Sequence, residues 1–215
     1  MAYRVYEEVY PILTLSIIMM IIGYLIHIYL FYIAFVVMVI SLFMFRDPIR
    51  VTPVNNNIIV APCDGYISNI EKIMQPCNVS KYNIQSDYYK ISFHIGFLNV
   101  QLNYMPISGK IIDMQYYIFF PQKNMIVLKT LGGDIVMVTQ VATFLTYDII
   151  CDVSLEQEIN SGERIGMIKM GNTVELYIPA KFKLMLQVGQ SCIGGESIIA
   201  IKDEGQEGKI DYKVQ

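Results

Sequence analysis

GERIGMIKMGNTVELYIP, residues 162 to 179, decides how this chain is read. A glycine-rich approach leads into short apolar runs, Gly171-Asn172 sits between them, and Leu176-Tyr177-Ile178-Pro179 closes the stretch. Runs this short, bounded by glycine and proline, are strand-length and not helix-length. The same texture extends in both directions, from Val54 to Ile201. Runs rich in Ile, Val, Tyr and Phe are separated by Gly, Pro, Asn and Asp. Several alternate: Ile91, Phe93, Ile95 and Phe97 fall on one face, and Ser92, His94 and Gly96 on the other. No part of this region carries a helical period. The expectation is a mainly β fold, a compact antiparallel domain over 51–202. The tail, 203–215, is polar and glycine-containing, and is expected to be flexible.

The N-terminal part differs. After a polar lead with Arg4, Glu7 and Glu8, the run from Pro11 to Phe45 holds no charge. As one helix it would be about 50 Å long, well beyond a hydrocarbon core of about 30 Å, yet it is short for two full spans. A tight helical hairpin over 11–45, broken near Gly23 to His27, resolves the lengths. Tyr24, Tyr29 and Tyr32 would then lie at interfaces, and one long tilted helix is the competing reading. A signal peptide fits worse, because the run is too long and lacks a basic leader. His27 near the turn is read as making an interfacial hydrogen bond. Arg46 and Arg50 follow the run directly, so the positive-inside bias puts that end, and with a hairpin both ends, on the cytoplasmic side of a cell (inner) membrane. Residues 1–50 are thus expected to form a membrane anchor.

Composition agrees with a membrane portion: of 215 residues, 54% are hydrophobic and only 16% charged. The net charge of −3 and the scattered basic residues give no stripe that would track a phosphate backbone, which excludes nucleic acid as a partner. Cys63, Cys77, Cys151 and Cys192 form no C-x-x-C pair and have no histidine at zinc spacing, so no metal is expected and the thiols are read as free and reduced. That favours the cytoplasm for the β domain. Asn78-Val79-Ser80 matches a glycosylation sequon, which is read as a chance match.

The motifs converge on one family. Phe45-Arg46-Asp47-Pro48-Ile49-Arg50 directly follows the apolar run; by itself it is a juxtamembrane clamp, with Arg46 and Arg50 at lipid phosphates and Pro48 ending the helix. Ala61-Pro62-Cys63-Asp64-Gly65-Tyr66-Ile67 is an ordinary strand-connecting turn that also offers a carboxylate at Asp64. Phe97 to Gly109 carries Asn99, Val100, Gln101, Asn103, Pro106, Ser108 and Gly109. Leu186 to Ala200 is a glycine-turn ending whose glycines serve hairpins. In this order the chain resembles the short bacterial and archaeal phosphatidylserine decarboxylases, whose elements read F-R-D-P-x-R, A/S-P-x-D-G-x-V, L-N-V-H-V-N-R-x-P-V-S-G, G-M-I-x-F-G-S-x-V-D-L-Y-L-P and V-G-x-x-V-x-A-G-E-T-V-I-A. The last but one matches 166 to 179 without gaps.

The resemblance implies a fold and a chemistry. In that family the serine after the glycine attacks the glycine carbonyl and the chain splits. The new N-terminus is a pyruvoyl group, whose carbonyl forms a Schiff base with the phosphatidylserine amine and accepts electrons as CO₂ leaves, giving phosphatidylethanolamine. The family positions here are Asp64, Gln101, Gly171 and Asn172. Two depart from the pattern. Asn172 has no hydroxyl, and Gln101 replaces a histidine with a group that does not titrate near neutrality. Thr173 has a hydroxyl but is one residue out of register, and in a strand that turns it to the other face. His94, seven residues before Gln101, likewise falls on the opposite face. The family's Asn-Glu-Arg triplet is missing between Ile118 and Val138, and Thr146, Tyr147 and Asp148 stand where it carries two arginines. Those basic groups are natural phosphate or carboxylate binders.

The expectation is therefore an unprocessed, impaired or inactive homologue in which the pyruvoyl group does not form. Such a chain retains contact with membrane lipids, phosphatidylserine among them, and pairing with another copy or an active homologue. The alternative is a membrane-tethered biotinyl/lipoyl-type carrier or adaptor with Lys169 at the carrier position, echoed by Ser161-Gly162-Glu163-Arg164 and Val188-Gly189-Gln190. Ile168 in place of methionine before that lysine counts against it.

Overall fold

Short apolar runs become short strands, and almost every one pairs antiparallel with a neighbour. The computed structural model describes residues 4–5, 7–74, 86–142, 149–169, 173–202 and 211–214. It divides into two units, Met1–Pro48 and Ile49–Gln215.

In the first unit β1 (Arg4–Val5) pairs with β2 (Arg46–Asp47), and between them lie α1 (Tyr10–Ile26) and α2 (Ile28–Met44). His27 breaks the apolar run: its extended backbone (φ −158°, ψ 124°) ends α1 and begins α2. The hairpin reading holds over the single long helix. Small residues make the close approach possible. Ser16 and Gly23 are buried in α1, Ala34 and Ser41 in α2, each pair seven residues apart on one face. A Cβ on Gly23 would lie 2.5 Å from Phe31 N. The Ser16 and Ser41 hydroxyls donate to the carbonyls of Ile12 and Val37, one turn back, so neither leaves a polar group open on the apolar surface. Each helix has 17 residues, and among the described residues no helix is long and apolar enough to cross a membrane. Of the anticipated membrane hairpin the structure shows the helical hairpin, and its helices fall short of spanning length.

In the second unit the strands are β3 (Val51–Val54), β4 (Ile58–Val60), β5 (Gly65–Met74), β6 (Asp87–His94), β7 (Leu102–Tyr104), β8 (Gly109–Tyr117), β9 (Gln122–Thr130), β10 (Ile135–Ala142) and β11 (Ile149–Cys151). They continue with β12 (Glu158–Ile159), β13 (Arg164–Ile168), β14 (Thr173–Pro179), β15 (Phe182–Leu184), β16 (Ser191–Cys192), β17 (Ile198–Lys202) and β18 (Asp211–Val214). The main sheet has the order β12-β8-β9-β10-β14-β6-β5-β16, with smaller sheets β11-β13-β7, β15-β17-β4 and β18-β3.

The stretch 162–179 contributes β13 and β14, which lie in different sheets. In β14 the alternation is realised: Val174, Leu176 and Ile178 are buried while Thr173, Glu175 and Tyr177 are half-buried. They join Ile67, Ile91, Phe93, Ile126, Leu128, Val136 and Val138 in the core, each such side chain contributing roughly 1.5–3 kcal/mol on leaving water. Tyr88, Met125, Val127 and Met137 form a second cluster, so Met125 to Leu128 of β9 are apolar on both faces of the strand.

Two expectations differ from the structure. Phe97 does not continue the Ile91-Phe93-Ile95 face; β6 ends at His94, the chain turns with Asn99 N–H bonding Gly96 O at 3.1 Å, and Phe97 is exposed. Within the tail, Asp211–Val214 pairs with Val51–Val54, giving β3 a partner strand. The rest of the tail lies outside the described residues.

Candidate active site

Three of the sequence motifs meet around β7. Tyr104 N–H donates to Pro62 O at 2.8 Å, and Asn103 bridges Cys63, so the Asp64 turn lies against this strand. On the other edge Leu102 pairs with Met167 and Asn103 with Gly166 of β13. The pairing of β13 with β11 on its other edge needs glycine at 166: its φ is +136°, and a Cβ there would lie 1.9 Å from Ile150 O.

Asp64 accepts three hydrogen bonds from two residues. Arg50 Nη2 donates to Oδ1 at 2.8 Å and Oδ2 at 2.9 Å, and Gly194 N–H donates to Oδ1 at 2.8 Å. Arg50 Nε also reaches Tyr104 Oη at 3.4 Å, with the guanidinium 5.5 Å from that ring's centroid. Burial opposes the Arg50 charge, but Tyr104 and Asp64 outweigh it and hold its pKa above the usual arginine value. Arg50, expected at lipid phosphates, is buried and commits its guanidinium to Asp64. Arg46 is half-buried, its guanidinium 3.9 Å from the Phe43 ring centroid. Beside Asp64, burial pushes the Cys192 thiol up to about 12 and the Cys63 thiol well above its ordinary value. Neither supplies a thiolate nucleophile near neutrality.

Gln101 is buried, with 1% of its surface exposed. Its Nε2 donates to Asn99 O at 2.8 Å and to Gly96 O at 3.1 Å, closing the loop between β6 and β7. The Gln101 backbone carbonyl accepts Ile168 N–H at 3.2 Å, at the end of β13. Two neighbours were not singled out from the sequence. Asn124 Nδ2 donates to Gln140 Oε1 at 2.8 Å, and Gln140 Nε2 donates to Asn103 Oδ1 at 2.7 Å. This buried amide chain ends on Asn103 Nδ2, which has no partner among the described residues. The available signal was an amide side chain next to the apolar run Met125–Leu128 in β9 and another within the mostly apolar β10.

His94 and Thr173 are direct cross-strand partners, so their side chains share a face, and the His94 ring packs 5.2 Å from that of Tyr66. His94 is exposed where Gln101 is buried, so the two do not exchange places. Gly171 and Asn172 lie outside the described residues, as do Thr146, Tyr147, Asp148, Cys77 and the sequon at Asn78. Lys169 is half-buried, unlike the exposed tip a carrier lysine needs. Among the described residues no cluster of three or more His, Cys, Asp or Glu is arranged to hold a metal.

The chemistry this arrangement offers is a neutralised carboxylate, a non-titrating amide in the family's histidine position and a buried line of amide donors. Residues 40–200 match the sequence model of the family described as phosphatidylserine decarboxylase. The phosphatidylserine decarboxylase proenzyme of Wolbachia pipientis wMel is 33% identical, with 80% of each chain covered. That of Ehrlichia ruminantium (strain Gardel) is 30% identical over 94% of this chain and 92% of its own, and that of Rickettsia africae (strain ESF-5) is 27% identical over 81% and 79%.

Proposed function

Because the chain belongs to the phosphatidylserine decarboxylase family, we propose that it is an unprocessed member, attached to the cell (inner) membrane by its helical hairpin, that engages phospholipid without decarboxylating it. The observation that carries this reading is Gln101. Its amide is spent on the carbonyls of Gly96 and Asn99, and an amide takes no proton near neutral pH. Asn172 lacks the hydroxyl from which a pyruvoyl group is made. The residues present therefore do not fit that group.

Attachment to a membrane is supported by what the hairpin exposes. Leu15, Ile21, Leu25 and Ile33 are each 59% or more accessible, with no charge between Pro11 and Phe45 to solvate them. Helices of about 26 Å approach the thickness of a hydrocarbon core, and local thinning accommodates the shortfall. Arg46 at its end favours the cytoplasmic face for the β domain. Such a domain meets phosphatidylserine as a surface ligand, and a second copy or an active homologue is its natural partner.

The test is the full chain in vesicles containing phosphatidylserine. It should float with the vesicles while no phosphatidylethanolamine accumulates. Steady formation of phosphatidylethanolamine would overturn the reading.

A further inference from the structure

The β8–β9 hairpin ends in Tyr116-Tyr117-Ile118-Phe119-Phe120-Pro121, and its apolar side chains are largely exposed. Ile118 is 74% exposed, Phe119 90% and Phe120 63%. A single exposed apolar residue needs no explanation, but five successive aromatic or aliphatic side chains at one projecting tip do. The tip is too small for a stable protein interface, which takes about 800 Å² from each partner. A bilayer interface has no such requirement, because each ring inserts independently.

The chemistry around the tip selects the same occupant. Tyr116 and Tyr117 flank the phenylalanines with amphipathic rings, the side chains that favour the headgroup level. Their hydroxyls are occupied, Tyr116 by Gln122 Nε2 at 2.5 Å and Tyr117 by Gln115 Oε1 at 2.7 Å. From Met114 to Leu128 the only charged residue is Lys123, which pairs with Tyr117 across the hairpin and complements anionic lipid.

We propose that this tip is a second membrane contact of the chain, in which Phe119 and Phe120 enter the headgroup–acyl boundary of an anionic bilayer beneath a collar of tyrosines and Lys123. This rests on the membrane reading above for the location of the chain.

The chain has no tryptophan, so one introduced tryptophan reports one position. Phe119→Trp, in the full chain reconstituted into phosphatidylglycerol-containing vesicles, should show blue-shifted emission. Lipids brominated near the headgroup should quench it more than lipids brominated at the chain ends, as a depth of about 5–10 Å requires. Leu131→Trp, exposed at the far end of β9 and about 30 Å away, should be neither shifted nor quenched. Leu25→Trp reports the helical hairpin separately. Quenching at 25 with none at 119 would overturn the proposal and leave the membrane attachment intact. Quenching at 119 with none at 25 would support the proposal against the hairpin anchor. Equal quenching at 119 and 131 would overturn it, as would a lipid-independent blue shift that grows with protein concentration and marks self-association. Absence of quenching at all three positions would remove both.

Discussion

Arg50 and Asp64 form a buried ion pair, with Nη2 2.8 Å from Oδ1 and side chains only 9% and 15% exposed. The pair ties the start of the β domain to the β4–β5 turn, and Gly194 N–H adds the β16–β17 turn to the same carboxylate. Removing one member leaves the other charge buried. Arg50→Met and Asp64→Leu should each cost about 3–5 kcal/mol by urea denaturation, and the double variant less than the sum of the two. Equal midpoints for wild type and Arg50→Met would show that the pair is not structural.

Gln101 closes a loop. Gln101→Ala should destabilise by about 1–3 kcal/mol, because the half-buried carbonyls of Gly96 and Asn99 lose their donor. The cost should appear with no change in phosphatidylserine turnover, since none is expected. Gln101→His combined with Asn172→Ser restores the family residues, and at most partial decarboxylation should return, because the family's recognition arginines are still missing. Turnover equal to an active relative would contradict this.

Tyr88 gives the fold an alkaline limit. Burial, with Asp134 nearby, raises its phenol from 10.0 to about 12. A folded pKa above the unfolded one means stability fully present below pH 10 and lost as pH rises through about 12, some 3 kcal/mol in order of magnitude. Cys192, raised from 9.0 to about 12, acts in the same direction from a lower starting pH. Urea midpoints measured from pH 8 to 12 should fall across that window. Tyr88→Phe should cost about 1 kcal/mol at pH 8 through its lost bond to Ile135 O, and should flatten part of the decline.

What could be read from the sequence was local. The period-2 pattern of Thr173 to Pro179 and the apolar run broken near His27 depend on neighbours a few residues away, and both elements formed as patterned. The partners of Arg50 are 14 and 54 residues distant. A basic residue just after an apolar run therefore looked lipid-facing until the β4–β5 turn folded against it. The Asn124–Gln140–Asn103 chain joins three separate strands, and the Asp211–Val214 strand pairs with one about 160 residues earlier. Neither pairing leaves a local period. The family's motifs were legible because glycine and proline requirements are written in short stretches. The register that puts His94 opposite Thr173 was not, because it is set by β6 and β14 together.

A chain with asparagine at 172 should not cleave itself, and its intact mass reads this out. Purified and aged at neutral pH, the chain should give one species of 24.6 kDa. Two fragments divided before residue 172 or residue 173, with the C-terminal piece bearing a new keto-acyl end, would contradict it.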